Sequence, residues 1–354
     1  PITFFYCTGW SALLHHGEIP RLLTISVATS EAFMNVTTPV SSPALDPAKF
    51  RDPDVTATGE RRASVDLESL ETLWFNTGTL CNLTCSNCYI ESSPKNDRLV
   101  YISAAEVRTY LTEIAALQLP TREIAFTGGE PFMNPEIMDT LEAVLEGGFR
   151  CLLLTNAMRP MMKCTDRIAD LQQRFGDRLT VRVSLDHYTE RLHDMLRGER
   201  SWEKTLLGLR WLAETGVSIN VAGRTCWGES EDSMRQGFGR LFEAQAISID
   251  PQNPEQLVLF PEMDETQDVP EITESCWDIL NVAPTAMMCA TSRMVVKRKG
   301  ASAPVVVPCT LLPYDTSFDF GTTLESAAEP VKLNHPHCAK FCVLGGGSCS
   351  VNAN

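Results

Sequence analysis

From about Glu68 onward, short apolar runs alternate with longer stretches of helical period. The runs Leu73–Asn76, Glu123–Thr127, Cys151–Thr155, Thr180–Leu185, Val217–Ala222 and Gln256–Phe260 read as strands, because they are apolar and too short for helices. Between them, Ser103–Leu117, Pro135–Glu146, Lys163–Phe175, Trp202–Thr215 and Glu231–Ala244 repeat apolar residues every three to four positions and read as helices. Pro135 suits a first helical turn, with Asn134 before it as the N-cap. Strand–helix alternation of this kind implies parallel strands joined by crossover helices. Six such units are too few for a closed eight-unit barrel and predict a partial (β/α)6 TIM-like barrel over residues 66–262.

After Met263 the rhythm breaks, and proline, glycine and cysteine take over. A smaller, cysteine-rich second domain is expected over residues 263–354. Within it Met294–Lys297, Gly300 and Val305–Val307 read as a hairpin with Cys289 and Cys309 near its ends. Residues 1–65 lack periodicity and are expected to form an irregular leader. Residues 1–33 precede the first methionine, Met34, so part of that leader reads as non-native. Cys7, His15 and His16 fall there and are assigned no role.

Composition narrows the class. Of 354 residues, 44% are hydrophobic and 21% charged, as in globular proteins. The formal net charge of −15 argues against nucleic-acid binding, which needs a basic footprint. The apolar runs are too short to span a bilayer. Thirteen cysteines in a long chain without a secretory-type leader point to a reducing compartment, and the expected location is cytoplasmic. Clustered cysteines in that setting bind metal or do chemistry.

One cluster is sharp: Cys81, Cys85 and Cys88, spaced C-x3-C-x2-C and followed by Tyr89. It follows the first strand, at the end where α/β active sites are built. Thiolates suit iron–sulfur clusters or zinc. Three thiolates on a four-iron cluster leave one iron open, as catalysis requires. Zinc would ask for a fourth nearby ligand, and none follows Cys88 closely.

The cysteine spacing with its aromatic resembles the signature of the radical S-adenosylmethionine (SAM) superfamily, and the likeness extends roughly from Leu73 to Cys349. The resemblance implies a [4Fe–4S] cluster whose open iron is chelated by SAM, an external one-electron donor, and a 5′-deoxyadenosyl radical that abstracts hydrogen from substrate. Gly128, Gly129, Glu130 and Pro131 resemble the family's GGEP motif, which implies contact with the SAM amino group. Thr155 and Asn156 resemble its TNG-like segment, with Ala157 in the glycine position. Ser184 and Asp186 resemble its SLDG motif, with His187 in the glycine position, read as an exposed loop histidine. Arg197 lies in a stretch like the family's HDxxRG segment and implies either a carboxylate-binding group or a loop salt bridge; Arg224 is a similar, weaker candidate.

The C-terminal cysteines resemble the auxiliary-cluster domains of the family, the SPASM and shorter twitch types. The likeness implies one auxiliary [4Fe–4S] cluster held by Cys289, Cys309, Cys338 and Cys342, with Cys349 able to replace one of the last two and Cys276 as an outside candidate. His335 and His337 flank Cys338 and read as supporting or surface groups; Cys151, Cys164 and Cys226 read as packing residues. Substrates in such families are peptides, alcohols or cofactor precursors. Peptide modification is placed first, and the irregular N-terminus implies that a peptide would need a separate recognition protein. The alternative is a non-catalytic iron–sulfur or zinc protein that retains the barrel.

Overall fold

The computed structural model describes residues 43–86 and 88–349. The expectations for Cys7, His15, His16 and the rest of the first 42 residues lie outside them. In chain order the elements are β1 (Ser64–Val65), β2 (Thr72–Asn76), α1 (Ala104–Ala116), β3 (Glu123–Thr127), α2 (Ile137–Glu146), β4 (Arg150–Thr155), α3 (Arg159–Met162), α4 (Thr165–Phe175), β5 (Leu179–Ser184), α5 (Glu190–Arg197), α6 (Ser201–Thr215), β6 (Ser218–Arg224), α7 (Glu231–Ala244), β7 (Leu257–Phe260), α8 (Cys276–Leu280), β8 (Ser292–Val296), β9 (Val305–Val307) and β10 (Val331–Lys332).

Strands β2 to β7 lie side by side in sequence order, all parallel. This is the expected partial barrel. Its strands are apolar throughout because both faces are covered. On one face Leu73, Phe75, Ile124, Phe126, Leu153 and Val181 pack with the helices. On the other, Trp74, Ala125 and Leu152 pack with Met294, Val307, Leu311 and Phe341 of the C-terminal region. The helices begin where local chemistry allows. Ser103 and Glu106 form a reciprocal capping box on α1, with the Glu106 N–H donating to Ser103 Oγ at 3.2 Å and the Ser103 N–H to Glu106 Oε2 at 2.9 Å.

Three expectations change. The segment after residue 263 does not fold apart: β8 pairs parallel with β2, and β9 pairs antiparallel with β8 as the expected hairpin. Residues 43–65 are not an irregular leader. Arg62, fully buried, donates to Asp52 O (2.9 Å), Val55 O (3.1 Å) and Glu271 Oε1 (2.5 Å), and β1 pairs with β10. Finally, α2 starts at Ile137, and Asn134 accepts the Glu136 N–H at 3.0 Å, so it closes the turn before the helix instead of capping it.

Candidate functional site

β2 delivers the cysteine loop. The loop runs against the backbone that follows β3: Gly129 N–H donates to Gly78 O (2.8 Å) and Glu130 N–H to Leu80 O (3.1 Å). A Cβ on Gly128 would sit 2.5 Å from Gly78 O, and one on Gly129 would sit 2.2 Å from Leu80 O. These glycines are required for that close approach. Backbone N–H groups already face two sulfurs, Leu83 onto Cys81 Sγ (3.4 Å) and Ser92 onto Cys88 Sγ (3.3 Å). Such donors stabilise thiolates. Without a cation, burial pushes the Cys81 thiol up to about 12, and the neighbouring Glu130, Cys85 and Cys88 add to it. Burial likewise raises Cys85 against the opposing pull of Arg197.

Cys81, Cys85, Cys88 and Tyr89 line one cavity together with Gly128, Gly129, Thr155, Asn156, Ser184, Asp186, Arg197 and Cys349. Most of the expected site residues thus meet at the C-terminal ends of β2 to β6. Glu130 and Pro131 are not on that wall. Glu130 is 1% exposed and accepts from Thr155 Oγ1 (2.8 Å), Phe132 N–H (3.2 Å) and Asn156 N–H (2.9 Å). It ties the end of β3 to the end of β4 through these bonds. Pro131 begins a buried turn of 3-10 helix. Asn156 in turn donates to Asn82 Oδ1 (2.9 Å), so the β4 end also holds the cysteine loop.

Of the two readings of Arg197, the loop salt bridge is the one observed. Its Nε and Nη2 grip Asp186 at 2.7 and 3.0 Å. Burial opposes ionisation of Asp186, but Arg197 and Arg224 outweigh it and hold the carboxyl below its usual range. Arg224 stands 3.6 Å from Asp186 and keeps a buried Nη1 with no partner among the described residues. His187 is 1% exposed, not a surface histidine; its Nε2 lies 2.8 Å from Glu229 and its ring stacks on Tyr188. Ser92, Phe260, Met263, Leu311 and Phe341 also line the wall and were not anticipated. Position at the end of β7 was a usable signal for Phe260; Ser92 carried none.

Cys289, Cys309, Cys338 and Cys342 gather around the β8–β9 hairpin and a short π-helical turn, Cys338–Val343. Burial raises all four thiols, Cys289 to about 11 against the pull of Arg293 and Cys309 to about 12, and repulsion from neighbouring cysteines adds to the rise at Cys309, Cys338 and Cys342. Among the described residues, only Glu265, His335 and His337 bring three ligand atoms within 4.8 Å of one another. Sulfurs on a single zinc would lie about 3.8 Å apart, given Zn–S bonds near 2.3 Å. Neither cysteine set forms such a group. The histidines are poorly set for a metal: His335 Nδ1 accepts the His337 N–H (3.1 Å), so its ring proton sits on Nε2, facing Glu265 Oε2 at 3.5 Å.

The residues fit the implied cofactors. Three thiols, two of them facing N–H donors, converge on one cavity, and the buried Ser92 Oγ and Arg224 Nη1 on its wall have no partner among the described residues. Buried polar atoms left open in this way mark a place for polar ligand atoms.

Comparison with known proteins agrees. The radical SAM superfamily model matches residues 75–236. The antilisterial bacteriocin subtilosin biosynthesis protein AlbA of Bacillus subtilis (strain 168) is 29% identical over 143 residues, 40% of this chain and 30% of that protein. The AdoMet-dependent heme synthase of Methanosarcina barkeri is 27% identical over 147 residues, 40% of this chain and 38% of that protein. The chain thus spans about a third of the length of these curated relatives. Among solved structures, Streptococcus suis SuiB bound to S-adenosylmethionine superposes with a TM-score of 0.53 at 13% identity, over 72% of this chain and 63% of that one, a likeness of fold. Triad, strand-end cavity and family match converge on one region, and residues 75–236 form a radical SAM domain.

Proposed function

We propose that the protein is a radical SAM enzyme that acts in the cavity at the C-terminal ends of β2 to β6. The observation that carries this is the convergence of Cys81, Cys85 and Cys88 with the ends of four further strands on one cavity wall. When bound, a [4Fe–4S] cluster and SAM supply one-electron cleavage of a carbon–sulfur bond and a 5′-deoxyadenosyl radical that takes hydrogen from substrate. The chain's part is to hold and to exclude. Cys81, Cys85 and Cys88 would hold the cluster and leave one iron for SAM. Gly128 and Gly129 keep the cysteine loop tight against β3. Arg224, with its open Nη1, is the cation placed for a carboxylate, while Arg197 keeps Asp186 in position. Tyr89, Leu154, Phe260 and Phe341 keep the cavity apolar, which limits water near a radical.

The substrate is assigned as a peptide. AlbA takes part in bacteriocin biosynthesis by its name, and SuiB has been solved with its precursor peptide SuiA. An external one-electron donor completes the system, and a peptide would arrive with a separate recognition protein. The free thiols suit a reducing, cytoplasmic setting; among the described residues no helix is long and apolar enough to cross a membrane. The test is anaerobic reconstitution followed by dithionite and SAM. Formation of 5′-deoxyadenosine is expected; its absence from fully iron-loaded protein would sink the proposal and favour a non-catalytic iron–sulfur protein.

A further inference from the structure

Cys349 differs from the other four C-terminal cysteines in what it faces. It is 8% exposed and lines the same cavity as Cys81, Cys85 and Cys88, whereas Cys289, Cys309, Cys338 and Cys342 do not. Its position is enforced. Arg182, 1% exposed on β5, donates from Nη1 to the Cys349 carbonyl at 2.8 Å. The Thr310 hydroxyl donates to Cys349 Sγ at 3.3 Å. A second group points to a ligand here: Ser92, 4% exposed, lines this cavity with an Oγ that has no partner. Behind Cys349, Cys309 and Cys342 lie near enough to feel its charge. Those two with Cys289 and Cys338 already make four thiolates, a complete ligand set for one [4Fe–4S] cluster. The fifth sulfur is surplus to ligation and sits between the reaction cavity and the auxiliary cysteines.

We propose that Cys349 is a catalytic thiol and not a cluster ligand: its S–H donates a hydrogen atom to the carbon radical left on the substrate. This rests on the radical SAM reading of the cavity. The S–H bond breaks, a C–H bond forms, and a thiyl radical remains on Cys349. One electron from the external donor and one proton from solvent restore the thiol. The substrate radical is therefore reduced at the end of the reaction instead of being oxidised.

The experiment uses the full chain, reconstituted anaerobically as wild type, Cys349→Ala, Cys349→Ser and Cys342→Ala. Iron content and the EPR spectrum of the reduced protein are measured first. Each sample then receives dithionite and SAM in D2O without substrate, and the mass of the 5′-deoxyadenosine is read. Without substrate the radical takes hydrogen from the nearest weak bond, and a thiol in D2O carries deuterium. Wild type is expected to give deuterated 5′-deoxyadenosine. Both variants at position 349 should keep about eight irons per chain and the wild-type spectrum, while Cys342→Ala loses about four. The 5′-deoxyadenosine they form should lose its deuterium. Loss of about four irons in either variant would make Cys349 a ligand and overturn the proposal. Unlabelled product from wild type, unchanged labelling in the variants, or an iron-loaded variant that forms no 5′-deoxyadenosine would overturn it too, since a donor acting after cleavage is not needed for cleavage. Absence of any 5′-deoxyadenosine from wild type is a separate result, which strikes the enzymatic reading itself.

Discussion

At position 130 a carboxylate is enclosed and accepts three hydrogen bonds. Burial still dominates and pushes its pKa up to about 7, from an ordinary 4.5. The folded protein therefore keeps this proton to a higher pH than the unfolded chain does. Its contribution to stability is full below pH 4.5 and is lost as pH rises through about 7. Between those limits the melting temperature of wild type should fall relative to that of Glu130→Gln; parallel pH profiles would refute the assignment. The motif around Glu130 was legible in the sequence, but its direction was not, because a motif names a residue without saying which way it points. Ala157 is similar. It occupies the family's glycine position with φ at +57°, left-handed backbone that glycine adopts freely and alanine only at a cost.

Among the elements, the six barrel strands and the five longer helices were legible to within a residue or two, since burial on fixed faces writes itself as period, whereas the short helices α3 and α5 were not anticipated. The segment 43–65 was not legible either. Arg62 joins residues 52 and 55 to Glu271, which also accepts the Phe50 and Ala57 N–H groups, and Lys49 pairs with Asp268; carbonyl acceptors and distant carboxylates leave no periodic trace. The Arg62–Glu271 pair is 0% and 5% exposed at its side chains. Removing one partner strands the other, so Arg62→Ala should destabilise the protein by about 3–5 kcal/mol in chemical denaturation. A change within experimental error would mean that the segment is held by something else.

Across the molecule, the sequence placed the two cysteine sets on different parts of the chain, and the fold joins those parts through neighbouring strands. β2 carries the triad loop, and β8, paired with β2, begins three residues after Cys289. The parallel pairing of β2 with β8 could not be read beforehand. The hairpin was visible, but which edge it would join depends on contacts more than 200 positions apart, such as Thr72 opposite Ser292.

That pairing also bears on solubility. An uncovered edge strand offers unpaired N–H and C=O groups to any other chain, and a flat apolar edge aggregates. β2 reads Thr-Leu-Trp-Phe-Asn and is buried along its whole length, with β8 on its outer side. A fragment of residues 1–262, cut where the chain's rhythm changes, would leave this edge bare together with the inner face that Trp74 shares with the C-terminal residues. It should self-associate in light scattering under conditions where the full chain stays dispersed; a well-behaved monomeric fragment would contradict this. The hairpin next to the auxiliary cysteines thus serves the protein before any metal arrives, as the seal that keeps one molecule from templating onto the next.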